Sequence, residues 1–160
     1  MEKEKIIIGA DPSGFDLKEA VKKHLIERGF EVTDVGTLSD TEQVMYYDVG
    51  ARVGKAVSEG EFERGMLFCG SGMGVNLMAN RYPRVLCGCC ESVYSVNRAR
   101  AINNINIVAM GGFFQGPALG CAMADAFLDT PWLEGLNEED CRVVKEGYKQ
   151  TMAASEGKQE

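Results

Sequence analysis

The chain has 160 residues, 45% of them hydrophobic, which is long enough for one globular domain to bury a core without disulfide or metal staples. Its 17 basic and 24 acidic side chains leave a net charge of −7 with no basic run, arguing against nucleic acid or an anionic membrane surface as main partner. The apolar stretch Ile6-Ile7-Ile8 is too short for a signal-peptide core, and no segment is long enough to span a bilayer.

In chain order the pattern alternates short strands and helices. Lys5–Ala10 is apolar and β-branched, and Asp11-Pro12-Ser13-Gly14 breaks it. Phe15, Leu17, Ala20, Val21, Leu25 and Ile26 then recur at helical spacing until Gly29. Residues 30–35 read as a second strand, 36–44 as a polar loop, and 47–58 as a helix with Val49, Val53 and Val57 on one face. The third strand, 64–69, ends on Cys69 and enters Gly70-Ser71-Gly72-Met73-Gly74, with a short helix expected over 75–80. A strand over 84–90, a helix over 92–102 ended by Asn103-Asn104, and a strand over 105–110 follow. Pro117 suits the first turn of a helix reaching Leu128, and 138–152 reads as a final charged helix. One domain is expected over 1–152, with a polar, frayed tail at 153–160.

Repeated βα units whose strands are apolar throughout imply a parallel sheet covered on both faces. The expected fold is therefore a three-layer α/β/α, Rossmann-like arrangement around a five-stranded parallel sheet. Gly9-Ala10-Asp11-Pro12-Ser13-Gly14 puts an acid and a proline where a dinucleotide fingerprint needs glycine, so no nucleotide cofactor is expected. Ligands of such folds bind at the carboxyl ends of strands. Asp11, Cys69 and Gly111-Gly112 each follow a strand and can share that edge.

The run from Cys69 to Gly74 carries the most chemistry. Glycines at 70, 72 and 74 let backbone N–H groups converge on an anion, and a following helix adds its positive end. A cysteine there forms thiolate more readily, so Cys69 suits a base or nucleophile beside an oxyanion hole. The alternative is a buried strand cysteine before a tight turn. The other cysteines, Cys87, Cys89, Cys90, Cys121 and Cys141, lie mostly in apolar runs, which fits a reduced, cytoplasmic setting. Cys87-Gly88-Cys89-Cys90 has no second Cys pair at ligand spacing and the one His is distant, so no metal site is expected.

Several motifs in order resemble the ribose-5-phosphate isomerase B / galactose-6-phosphate isomerase family. Gly9-Ala10-Asp11-Pro12-Ser13-Gly14-Phe15-Asp16-Leu17-Lys18 looks like the family's opening Ser-Asp-His-Ala-Gly-Phe segment, and Phe68 to Gly74 like its Cys-Gly-Thr-Gly-Ile-Gly loop. Ala79-Asn80-Arg81, Tyr94-Ser95, Asn103-Asn104-Ile105-Asn106 and Met110-Gly111 also fall at family spacing, so the match runs to about Trp132. The resemblance implies an aldose–ketose isomerase working through a cis-enediolate without a cofactor. In it Cys69 is the base, Ser71 moves protons between the two oxygens, and the amides of Gly70, Gly72, Met73 and Gly74 hold the oxyanion. It further implies that Asp11, Pro12, Tyr46, Asn103 and Phe113 line the substrate site. Its usual assembly is a homodimer, or dimer of dimers, with sites shared between chains, so that the resemblance brings the Asn103 to Phe113 region of one chain to the Cys69 loop of its neighbour. For Asp11 and Tyr46 the residues alone equally support a turn residue and a helix-start staple.

The departures from the family pattern are specific. Its first His is Pro12 here, the ring-opening His is Ile102, and an expected Arg is Phe113. Two further phosphate-gripping Arg positions fall near Leu136 and Asp140, leaving Arg98 and Arg142 as substitutes. The sole histidine, His24, is expected to be solvated on a Lys-rich helix. The expected substrate is a sugar whose tail escapes the usual Arg set: non-phosphorylated, short and open-chain, or modified. The alternatives are a subunit of a mixed assembly whose partner supplies His and Arg, and a non-catalytic sugar-binding protein.

Overall fold

The computed structural model describes residues 4–157. Five strands, β1 (Lys5–Ala10), β2 (Glu31–Asp34), β3 (Gly65–Cys69), β4 (Cys87–Cys89) and β5 (Ile107–Gly111), form one sheet in the order β2-β1-β3-β5-β4. Every pairing is parallel. Six α-helices complete the three layers: α1 (Phe15–Glu27), α2 (Tyr46–Ser58), α3 (Met73–Ala79), α4 (Val93–Asn103), α5 (Pro117–Asp129) and α6 (Glu138–Ser155).

The pleat explains why the strands read as unbroken apolar runs. Ile6, Ile8, Met66, Phe68, Val108 and Met110 pack on one face with α1, α4 and α5. Ile7, Leu67, Cys69, Ile107 and Ala109, pointing the other way, pack with α2 and α3. The chain moves outward from β1 to β2 and then crosses to β3 on the far side of β1. Strand order therefore reverses between β1 and β3, and loops leaving those strands diverge to open a crevice at their carboxyl ends.

The boundaries differ from expectation where side chains intervene. Strand pairing in β4 covers only Cys87–Cys89, because Arg84 takes a left-handed conformation and the Asn106 side chain accepts the Leu86 N–H at 2.8 Å. β5 starts at Ile107 because Asn104 caps α4 at φ 51° and the Ile105 N–H still bonds the Ala99 carbonyl at 3.4 Å. α3 starts two residues early, at Met73, with Gly72 as its N-cap, and α2 starts at Tyr46 rather than 47. α6 runs to Ser155, three residues into the expected tail, held where the Ser155 hydroxyl accepts the Arg84 N–H at 3.0 Å. Residues 158–160 of that tail lie outside the described residues. His24 is not simply solvated: its Nε2 lies 2.7 Å from Asp125 of α5, tying α1 to α5.

Among the described residues no helix is long and apolar enough to cross a membrane, and no group of three or more His, Cys, Asp or Glu side chains is placed to hold a metal ion.

Candidate active site

Cys69 closes β3 and is 5% exposed. Three residues then turn the chain into α3, and the turn depends on Gly72, whose φ of 77° is the left-handed conformation a side chain disfavours. A Cβ there would also press on the Cys89 Sγ and the Met110 carbonyl carbon at 3.0 Å. The turn aims the Gly72 N–H at the Cys69 Sγ, 3.1 Å away. Ser71 is exposed, and its Oγ accepts the Met73 N–H at 3.2 Å while the hydroxyl hydrogen stays available.

The turn after β1 is clamped directly against this loop. Asp11 donates its N–H to the Phe68 carbonyl at 3.1 Å, and its Oδ1 accepts the N–H groups of Ser13 (2.9 Å) and Gly14 (3.1 Å). Asp11 is therefore both a turn cap through Oδ1 and a candidate ligand through Oδ2, which takes no hydrogen bond among the described residues. Burial pushes its carboxyl up, and the N–H groups of Gly14 and Ser13 partly oppose that shift. Pro12 is exposed at the start of the short 3₁₀ turn Pro12–Gly14. Gly14 lies against the β3 backbone so closely that a Cβ would sit 2.6 Å from the Phe68 carbonyl carbon and 2.7 Å from the Cys69 nitrogen.

The loop after β5 closes the other side. Gly112 donates to the Cys69 carbonyl at 2.8 Å and Phe113 to the Gly70 carbonyl at 2.9 Å. The Phe113 ring lies over Gly70, where a Cβ would run into it, yet the residue is 76% exposed. Tyr46, at the first turn of α2, lays its ring on Gly74.

Asp11, Pro12, Tyr46, Gly70, Ser71, Gly72, Met73, Gly74 and Phe113 thus gather around Cys69, but Asn103 does not. It ends α4, just before β5 enters the sheet at Ile107, whereas Cys69 pairs with Gly111 at the exit of β5. The strand rises about 13 Å between those ends. Asn103 instead lines a cavity of about 790 Å³ between α4, β4 and α6.

Three supports went unread in the sequence. Gln115 is buried, its Oε1 accepting the Gly111 N–H (2.7 Å) and its Nε2 donating to the Cys90 carbonyl (2.9 Å), which fixes the β5 loop. Lys18 is fully buried and donates to the Thr37 carbonyl (2.6 Å) and Asp34 Oδ2 (2.7 Å). Thr37 Oγ1 in turn accepts the Val44 N–H at 3.0 Å, so this chain of contacts pins both ends of the loop that delivers Tyr46. Cys89 reaches the Ser71 carbonyl at 3.7 Å beneath the loop. Lys18 precedes the buried Val21 and Leu25 by three and seven residues, on the buried face of α1, but a lysine gives no burial signal. Gln115 sits between exposed residues in a glycine-rich loop.

Residues 6–145 match the ribose/galactose isomerase family. The chain is 43% identical to the 4-deoxy-4-sulfo-D-erythrose isomerase of Clostridium sp. (strain MSTE9) over 152 residues, 95% of each chain. It is 34% identical to the D-erythrulose-4-phosphate isomerase of Pectobacterium atrosepticum over 143 residues, 89% of this chain and 93% of that one. The type B ribose 5-phosphate isomerase structure of Trypanosoma brucei superposes with a TM-score of 0.84 at 32% identity, covering 96% of this chain and 99% of its own. The chain belongs to the ribose/galactose isomerase family and is an aldose–ketose isomerase.

Proposed function

We propose that this isomerase acts on an acyclic four-carbon sugar carrying an anionic group on C4. The observation that carries the chemistry is the Cys69 loop, with the Gly72 N–H 3.1 Å from the Cys69 sulfur at the carboxyl end of β3. The Cys69 thiolate removes the proton from C2 of the aldose, and the electron pair forms the C1–C2 double bond of a cis-enediolate. The charge on oxygen is held by the loop amides, and Ser71 passes the proton between O2 and O1. The Cys69 thiol returns its proton to C1, giving the ketose.

The substrate follows from what the site lacks. Position 102 is Ile, where the resemblance places a ring-opening His. A tetrose blocked at C4 has no hydroxyl there to close a five-membered ring, so it needs no ring opening. Two relatives are named for such compounds, one a 4-sulfo tetrose and the other a tetrulose 4-phosphate. A sulfonate carries one negative charge, whereas a phosphate monoester carries ≈ −1.5 to −2 at pH 7, so the sulfonate needs fewer cations. Phe113 and Asp140 in place of Arg favour the singly charged group.

We further infer a homodimer, or dimer of dimers, with sites completed between copies, because Asn103 stands at the opposite edge of its own sheet. Tyr94 and Phe113, each 76% exposed, and Leu77, 57% exposed, are large apolar groups that a second copy would cover. Six unpaired cysteines fit the cytoplasm as the setting.

The test is turnover of 4-deoxy-4-sulfo-D-erythrose, D-erythrose 4-phosphate and D-ribose 5-phosphate by the pure chain, followed by NMR. The expected order is sulfo-tetrose, then tetrose phosphate, with ribose 5-phosphate poor. Turnover of ribose 5-phosphate at kcat/KM above roughly 10⁴ M⁻¹s⁻¹, or a monomer at micromolar concentration in sedimentation, contradicts the reading.

A further inference from the structure

The cavity between α4, β4 and α6 has an unusual electrostatic wall. Among the described residues no acidic side chain lines this space of about 790 Å³, and the one charged lining residue is Arg98. The wall is otherwise apolar or neutral, with Leu86, Ile102, Val143 and Tyr148 beside Asn103. Arg98 has no hydrogen-bond or ion-pair partner among the described residues. A guanidinium facing an apolar wall without a carboxylate is a cation left for a ligand.

Its position on α4 gives that ligand an identity. Arg98 and Ile102 are four residues apart on one helix face, about 6 Å between Cβ atoms, and Asn103 is the next residue. We infer that Arg98 is the specificity-determining cation of the isomerase site: carried by the neighbouring copy together with Asn103, it pairs with the sulfonate or phosphate on the substrate's C4. This rests on the shared-site isomerase reading above.

Other arginines are excluded by their contacts or positions. Arg28 pairs with Asp125 and Asp129, Arg64 bonds the Leu128 carbonyl, and Arg100 bonds Asn104 and Ile105. Arg142 is exposed on α6 and does not line the cavity. Arg81, by contrast, lines a pocket with Tyr46 and Gly74 of its own chain's site, so it is the rival cation, and its own variant is included in the test.

The test compares 4-deoxy-4-sulfo-D-erythrose with 4-deoxy-D-erythrose, which is equally acyclic but uncharged. R98Q is expected to raise KM for the sulfonate by about 10- to 100-fold and to leave kinetics on the neutral sugar within about threefold, with R98K recovering part of the loss. An unchanged sulfonate KM, an equal loss on both sugars, or the loss appearing in R81Q instead overturns the assignment. Calorimetric titration with 4-deoxy-4-sulfo-D-erythritol, which has no carbonyl to isomerise, separates this from the activity itself. The unmodified chain should bind the alditol at least about tenfold more tightly than R98Q, whether or not any sugar is turned over. Equal binding, or no binding by the unmodified chain, removes Arg98 from the site; binding without turnover of any sugar would instead count against the isomerase substrate while Arg98 stands.

Discussion

Replacing Gly14 with Ala tests how tightly the turn after β1 is locked to the catalytic strand. The backbone at Gly14 (φ −99°, ψ 0°) is open to alanine, so any cost comes from contact and not from conformation. The added methyl would sit 2.6 Å from the Phe68 carbonyl carbon and 2.7 Å from the Cys69 nitrogen, both main-chain atoms inside a five-stranded sheet. Overpacking of this kind costs about 1–3 kcal/mol, or about 2–12 °C in Tm for a chain of this size. A displacement near 1 Å at the strand end carrying the base should lower kcat by about 100-fold. Gly70→Ala is the contrast: its methyl meets the ring of Phe113, a side chain and not main chain, so its stability loss should be smaller than that of Gly14→Ala. Calorimetric Tm and kcat on the same preparations decide it. A Gly14→Ala protein with unaltered Tm and kcat would show that the two turns are not coupled, and the site's rigidity would need another source.

Lys18→Met should destabilise the fold by about 3 kcal/mol in urea unfolding, because it strips the Thr37 carbonyl and buried Asp34 of a donor, although Lys22 still reaches Asp34 at 2.9 Å; a loss below about 1 kcal/mol would refute the clamp. Because Asp11 is raised above its usual 3.8, its contribution to stability is complete below that value and is lost as pH rises through the raised one. Asp11→Asn should therefore match or exceed the parent Tm at pH 7, lose that advantage toward pH 3.5, and bind substrate more weakly, whereas a larger penalty at pH 7 than at pH 3.5 would contradict the sign. Brief iodoacetamide treatment at neutral pH should alkylate Cys69 ahead of Cys87, Cys89, Cys90 and Cys121, whose thiols burial pushes up. Peptide mapping that finds Cys89 labelled first would move the reactive sulfur.

The sheet was legible because its signal is local. Ile6 to Ile8, Met66 to Phe68 and Ile107 to Met110 are apolar on both pleat faces, and each ends at a glycine-rich or Asp-Pro loop, so both layering and site edge follow from the sequence. The Cys69 loop was legible for the same reason, since three alternating glycines state a backbone requirement directly. What escaped depends on contacts distant in sequence. Asn106 reaches back 20 residues to Leu86 and shortens β4, and His24 finds Asp125 across 101 residues. Asn103 stands at the opposite edge of its own sheet, where a site shared between chains leaves it for a neighbouring copy, whereas Phe113 of the same segment lies over its own chain's Gly70.

The central claim is that Cys69 forms an enediolate from an acyclic tetrose, and hydrogen exchange at carbon reports this even when turnover is slow. In D₂O, NMR of 4-deoxy-4-sulfo-D-erythrose with the unmodified protein should show deuterium entering at C2, and at C1 of the ketose formed. Cys69→Ala, with its fold checked by circular dichroism, should show none. Exchange that persists in Cys69→Ala, or no exchange with the unmodified protein, would contradict the account.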